Sequence, residues 1–491
     1  MEDNSVTDKH LATKEKAVKG VMWTSASFYS GKMLVLISTV ILARLLSQDD
    51  FGIAGYAIVV ISLMDVLSDL GVGASLIYYH EDPDAADTAF WLGMGISIFL
   101  LVVLWLGAPL MGIFFNDARA VPVIRALAFY FPLSALGNIH DSLLSKELSF
   151  GKKFVPDLAR AFGKGMISIL FAIFGFGAWS LIIGQLVSAV ISTIALWWVF
   201  PWRPSLRYVH NWVRPLLGYG GKTVVVAILG AIIGNTDYLL IGRFLGAEAL
   251  GVYTLAFRIP DMLITQMCNL ISRVTFPLYT KLQDDHAALV KAFLDTTRYI
   301  SLITIPLGLG IALVAQPMVL VIFGEKWAEA IPVVQAIAIY TIFQSLFYSA
   351  GIIYKAQGRP EVLSYLAFLH VVILVPAVYW AVTVPRSITA VGWTLAVVVF
   401  CIGILEIAVA SCMLKTPVQM IALAAAPAVI NGGFLAVVVW VVLFLLRVVN
   451  PMVQLAIGVS SGMIVYLAGL WIFSRDLVIN TIHAFRSGLQ R

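Results

Sequence analysis

The chain has 491 residues, 60% of them hydrophobic and 12% charged, with a formal net charge of +5. Soluble domains carry about 25% charged residues, so this chain cannot clothe a water-facing surface and reads as an integral membrane protein. Its three cysteines, Cys268, Cys401 and Cys412, stand in apolar runs with no CxxC or Cys/His cluster, which suggests neither a metal site nor a disulfide framework.

The first residues mix acids and bases, and the apolar run after them is too long and too far in for a cleaved signal peptide. A span needs ~20 apolar residues, and on that measure the chain predicts about 14 transmembrane helices. The first half gives 17–46, 51–79, 84–115, 120–145, 153–175 and 177–200. The second gives 215–245, 248–280, 288–323, 328–355, 360–384 and 388–413. Two more, 418–447 and 451–473, have no counterpart upstream. The predicted fold is all-α and membrane-embedded. A six-helix lobe (1–200) is joined by a linker (201–214) to a second six-helix lobe (215–414), and 415–491 adds two helices and a tail. With the N-terminus inside, inner loops hold roughly 20 Lys and Arg and outer loops about seven, so both termini are expected to be cytoplasmic. The basic residues therefore read as topology rather than as a nucleic-acid surface, and no nucleic acid is expected. The tail, 475–491, is partly amphipathic and could lie on the inner face or fray.

Two echoes indicate duplication. ILARLLSQDDFGIAGYA at 41–57 returns about 200 positions later as LIGRFLGAEALGVYTLA at 240–256, setting Arg44 on Arg243, Asp49 on Glu248 and Gly52 on Gly251. PLMGIFFND at 109–117 resembles PMVLVIFGE at 317–325, and VPVIRALA at 121–128 resembles IPVVQAIA at 331–338. Six spans per copy give both copies the same orientation, a parallel repeat.

Charges inside spans are expensive, ~2.5–3.5 kcal/mol each on insertion scales, so each needs water or a partner. Lys32 lies near mid-depth of the first span. Asp65 and Asp69 are one turn apart on the second, where like charges repel. Asp157, Arg160 and Lys164 form a stripe on the fifth. Arg258 and Asp261 are at i, i+3 on the eighth and could equally be a structural ion pair; Lys222 and Arg273 could snorkel to the inner headgroups. Lys32, Arg160, Lys164 and Arg258 are the candidate substrate-binding cations, lining a wet cavity between the lobes. Asp65, Asp69 and Asp261 are candidate coupling or counter-charge groups. Asn235 and Gln266 are expected to bridge helices. Glycines and prolines such as Gly163, Gly165, Pro260 and Pro306 interrupt many spans, and with two parallel lobes they suit alternating access. No catalytic residue, metal site or cofactor is indicated. A basic cavity selects an anion, and outward passage of a diphosphate from a negative interior would gain up to ~4–5 kcal/mol per 100 mV.

These motifs also carry a family resemblance. ILARLLSQDDFGIAGYA with the following MDVLSDLGVGASLIYY, SKELSF at 145–150, FPLYTKLQDD at 276–285 and FGEKW at 323–327 resemble the Wzx-type polysaccharide exporters. These belong to the polysaccharide transporter family of the multidrug/oligosaccharidyl-lipid/polysaccharide (MOP) flippase superfamily, and the likeness is strongest to the colanic acid and succinoglycan exporter branch. The resemblance implies a MATE-like fold and translocation of an undecaprenyl-diphosphate-linked oligosaccharide repeat unit across the bacterial inner membrane for exopolysaccharide assembly. It implies membrane lipids, a polysaccharide polymerase and a chain-length regulator as further partners, and no covalent chemistry. The Arg and Asp pattern associated with the first helix of lipid II flippases is not evident. A MATE-type multidrug cation antiporter and a membrane-bound polysaccharide polymerase are the alternatives. The basic cavity argues against the first, and the absence of a large outer loop or His-centred site against the second.

Overall fold

The computed structural model describes residues 30–69, 76, 83–147 and 150–473, and the regular elements among them are all helical. Eleven of the described helical stretches are long and apolar enough to cross a membrane, so the chain is a multi-pass membrane protein. The three other expected spans have particular reasons for falling outside the eleven. Part of 17–46 lies outside the described residues. The span at 153–175 is a helix, but it carries Asp157, Arg160 and Lys164. The one at 248–280 is interrupted by a π-helical turn at Asp261–Thr265, immediately after Pro260. The tail at 475–491 and Gly71 and Gly73, expected within the 51–79 span, also lie outside the described residues.

The chain forms two compact units, Met1–Gly251 and Val252–Arg491. The first holds α1 (30–45), α2 (Gln48–Asp69), α3 (Pro83–Phe115), α4 (Ala120–Ala128), α5 (Tyr130–Lys146), α6 (Phe150–Ile173), α7 (Ala178–Val199), α8 (His210–Phe244) and the start of α9 (Gly246–Pro260). The packing division falls beyond the 201–214 linker, because α8 lies against α2 and α3. The second unit continues after the π turn with α10 (Gln266–Lys281), α11 (His286–Leu313), α12 (Ala315–Ile322), α13 (Ala330–Ala356), α14 (Pro360–Thr383), α15 (Ile388–Met413), α16 (Val418–Leu445) and α17 (Pro451–Phe473).

At one end of the first unit, short turns are held by carboxylates. Ser47 and Asp50 form a reciprocal capping box at the start of α2: the Ser47 amide donates to Asp50 Oδ2 at 3.0 Å and the Asp50 amide to Ser47 Oγ at 3.1 Å. The other oxygen, Asp50 Oδ1, accepts the Ala178 amide at 2.9 Å, so one carboxylate caps both α2 and α7. Gly177 precedes α7 at φ +51°, and a Cβ there would fall 2.6 Å from Asp50 Oδ1. Next to it, Arg119 grips Asp49 at 2.6 Å and Asp117 at 2.8 Å.

At the other end, the 200–209 connection is pinned to the unit. Trp91 Nε1 donates to the Ser205 carbonyl at 2.7 Å, the Val209 amide donates to Thr88 Oγ1 at 3.1 Å, and buried Asp87 accepts the Ser205 amide at 3.0 Å. His140 stacks on Trp197, and Asp141 pairs with Lys153 at 2.8 Å. Both groups are thereby local structure.

The repeat is visible in backbone geometry. Asn116 and Gly324, equivalent in the second echo, both take positive φ, +54° and +101°, where the preceding helix ends. Arg125 of α4 and Gln335 of α13 are also equivalent. Arg125 Nε donates to the Trp105 carbonyl and Gln335 Nε2 to the Ala312 carbonyl, each at 3.2 Å.

Candidate functional site

In lipid there is no hydrophobic drive between helices, so close approach rests on small residues. α6 uses them on two sides. Toward α1, Gly31 faces Ala161, and a Cβ on Gly165 would fall 2.9 Å from Ser38 Cβ. Toward α7, a Cβ on Gly184 would meet Ser168 Oγ at 1.9 Å, and one on Gly163 would meet Ile191 Cδ1 at 2.8 Å. The cations sit beside these contacts. Lys32 follows Gly31, Arg160 precedes Ala161, and Lys164 lies between Gly163 and Gly165. Lys32 and Lys164 are half-buried, while Arg160 is exposed and donates Nε to the buried Ser192 Oγ of α7 at 3.1 Å. Lys32, Arg160 and Lys164 are thus carried by two helices in direct contact.

Asp65 is exposed on α2, where Ser68 Oγ donates to its Oδ1 at 3.2 Å. The side chain of Asp69 lies outside the described residues, as do those of Lys222 and Arg273. Asn235 bridges helices as expected, accepting from Ser62 Oγ across α2 and α8 at 2.5 Å.

Arg258 and Asp261 belong to the second unit. Arg258 is half-buried in the last turn of α9, and Asp261 opens the π turn. Gln266 Nε2 donates back to Asp261 Oδ2 at 3.5 Å instead of bridging helices. Irregular helical turns frequently mark functional sites, since they free backbone groups and re-aim side chains. Here the turn faces a polar seam on α13. Thr265 Oγ1 donates to Gln344 Oε1 at 3.2 Å, Gln344 Nε2 to Tyr340 Oη at 3.0 Å, and Tyr348 Oη to Asn269 Oδ1 at 2.6 Å. Tyr340, Gln344 and Tyr348 recur every fourth residue and so share one helix face. The Phe257 ring stands edge-on to Tyr340, centroids 5.8 Å apart. The seam carries no formal charge, although its i, i+4, i+8 spacing on an apolar helix was a readable signal.

The first unit thus carries cations on α1 and α6, and the second sets Arg258 and Asp261 beside a seam of neutral amides, hydroxyls and rings. Residues 41–332 match the model of the family described as polysaccharide biosynthesis protein, and the match takes in both copies of the repeated motif. The chain belongs to this family. It is 27% identical over 371 residues to the lipopolysaccharide biosynthesis protein WzxC of Escherichia coli (strain K12), covering 75% of each chain. To the teichuronic acid biosynthesis protein TuaB of Bacillus subtilis (strain 168) it is 25% identical, over 78% of this chain and 80% of the relative. To the succinoglycan biosynthesis transport protein ExoT of Rhizobium meliloti (strain 1021) it is 26% identical, over 65% of each. Among solved structures, the lipid II flippase MurJ in an inward closed conformation superimposes with a TM-score of 0.77 at 14% identity, covering 93% of this chain and 100% of MurJ. An inward-facing multidrug resistance MATE family transporter of the MOP superfamily gives 0.63 at 16% identity, over 78% and 94%. At such identities these likenesses establish the fold, which is that of the MOP superfamily.

Proposed function

We propose that this polysaccharide biosynthesis family member is a flippase. It moves a lipid-linked, phosphate-bearing oligosaccharide repeat unit across the bacterial inner membrane by alternating access, for export of an exopolysaccharide. The observation that carries this reading is the placement of Lys32, Arg160 and Lys164 on two touching membrane helices. Charge carried on membrane helices is costly, and an anionic headgroup or water reaching these three cations contributes to offsetting that cost. The names of WzxC, TuaB and ExoT support the polysaccharide assignment, and ExoT is named a transport protein. On this reading the two six-helix lobes are the moving parts, Arg258 is a fourth cation facing the substrate, and Asp65, Asp69 and Asp261 supply counter-charge or ion coupling. The neutral seam at Tyr340, Gln344 and Tyr348 suits sugar hydroxyls. Both termini are cytoplasmic, no bond is made or broken, and a polymerase and a chain-length regulator work alongside.

Deletion in a producing strain tests this. Extracellular polymer is expected to vanish while lipid-linked repeat units accumulate on the cytoplasmic leaflet. Unchanged polymer would end the reading.

A further inference from the structure

A second polar feature lies on the first unit, apart from the α1–α6 cations. Trp105, Val121, Arg125, Phe129, Trp179 and Leu186 line an open pocket of about 510 Å³ formed by α3, α4 and α7. Its rings are surface groups: Trp105 is 40% exposed and Phe129 44%. The pocket's one cation is Arg125, whose guanidinium lies 5.5 Å from the Trp105 ring centroid.

The local cause of this arrangement is Pro109. It has no N–H to offer the carbonyl four residues earlier, that of Trp105, and Arg125 Nε donates there instead. That bond needs a donor but no charge. In the other copy of the repeat the neutral amide of Gln335 makes a similar bond, to the carbonyl of Ala312, one residue before the position equivalent to Trp105. That hydrogen bond therefore does not account for the charge at Arg125, which otherwise faces the Trp105 ring. Among the described residues no carboxylate pairs with it. Its remaining N–H donors form a fork suited to phosphate oxygens.

Position narrows the ligand further. Arg125 lies five residues into α4, and at 1.5 Å per residue this is ~8 Å from the helix start, the thickness of a headgroup layer. Exposed tryptophans beside it are typical of that layer. One guanidinium balances one phosphodiester charge, whereas a diphosphate would call for more.

We propose that this pocket binds a phospholipid of the surrounding bilayer, its phosphodiester on the Arg125 guanidinium and its acyl chain against Trp105, Phe129 and Trp179. Native mass spectrometry of the purified full chain tests it, with phosphatidylglycerol, diacylglycerol of the same chains and undecaprenyl diphosphate offered in separate arms and in pairwise competition. Wild type is expected to retain one phosphatidylglycerol through activation that strips the other lipids. Arg125→Gln keeps a donor for Trp105 and is expected to lower that retention at least fivefold. Ala126→Trp and Leu186→Trp fill the pocket while leaving Arg125 in place, and the same loss is expected, so the outcome does not depend on the Gln variant folding. Equal retention in the folded variants overturns the site. Diacylglycerol held as firmly as phosphatidylglycerol overturns the role of the phosphate, and preference for undecaprenyl diphosphate overturns the assignment to a bilayer phospholipid.

Discussion

Gly52 and Gly251 occupy equivalent places in the repeated motif, and each makes room for backbone belonging to the other copy. A Cβ on Gly52 would fall 1.7 Å from the Ala247 carbonyl oxygen, and one on Gly251 would fall 2.0 Å from that of Gln48. Gln48 and Ala247 are themselves equivalent, so the contact is reciprocal. Neither obstacle is a flexible side-chain tip that could move aside. Gly52→Ala and Gly251→Ala are each expected to destabilise by about 2–3 kcal/mol or to prevent folding, following the cost of overpacking. Gly230→Ala is the control, since nothing lies within 4 Å of a Cβ there. It should be neutral or stabilising by a few tenths of a kcal/mol to about 1 kcal/mol. Thermal unfolding of purified protein separates the two classes.

Asp50 ties two helix starts with one carboxylate. Asp50→Ala removes the cap on α7 and one of the two bonds of the α2 capping box, and is expected to cost about 1–2 kcal/mol. Hydrogen exchange should locate the damage: the Ala178 amide loses its acceptor and should exchange faster, while amides in the middle of α13 keep their protection.

Removing charge from α1 and α6 should affect transport far more than folding. Lys32→Ala, Arg160→Ala and Lys164→Ala are each expected to lower extracellular polymer tenfold or more at normal protein levels. Lys32→Arg, which keeps the charge, should retain much of the output. Normal polymer from a triple alanine variant would separate these cations from the substrate path.

The Arg119 guanidinium, bonded to the Asp117 carboxylate, holds that carboxyl below the ordinary carboxylate range, in a turn outside the membrane spans. A lowered folded-state pKa means stability that is present above the unfolded value, about 3.9, and lost as pH falls through the folded value. Arg119 is 55% exposed, so solvent screening limits the contribution to about 1 kcal/mol or less. The stability difference between wild type and Asp117→Asn should therefore be measurable at pH 7 and shrink as pH falls below about 3.9 and through the lowered folded value.

Composition and apolar run length made the membrane class and most helix positions legible, because the bilayer imposes one length scale on every span. The repeat was legible from Arg44/Arg243 and Gly52/Gly251, and Asn116 with Gly324 extends it to backbone angle. The π turn was not legible: Pro260 marks where a helix is weakened, but which hydrogen bonds shift depends on neighbouring helices. Among candidate site residues, Lys32, Arg160 and Lys164 stood out because lipid penalises charge. The Tyr340–Gln344–Tyr348 seam did not, since neutral polar groups carry a smaller penalty. Arg125 was hidden because its significance lies in a proline on another helix and in a glutamine about 200 positions away.

The double cap at Asp50 also bears on how disturbance travels through the first unit. The helix it anchors at Ala178 lies along α6, with Gly184 close against Ser168 and the Lys164 carbonyl. A small tilt of α7 at its cap is passed to Lys164 less than two helical turns along, where Gly184 leaves little slack. Chemistry at the aqueous rim, whether a substitution, a protonation or a docked partner, thus has a short mechanical route to the charged helix.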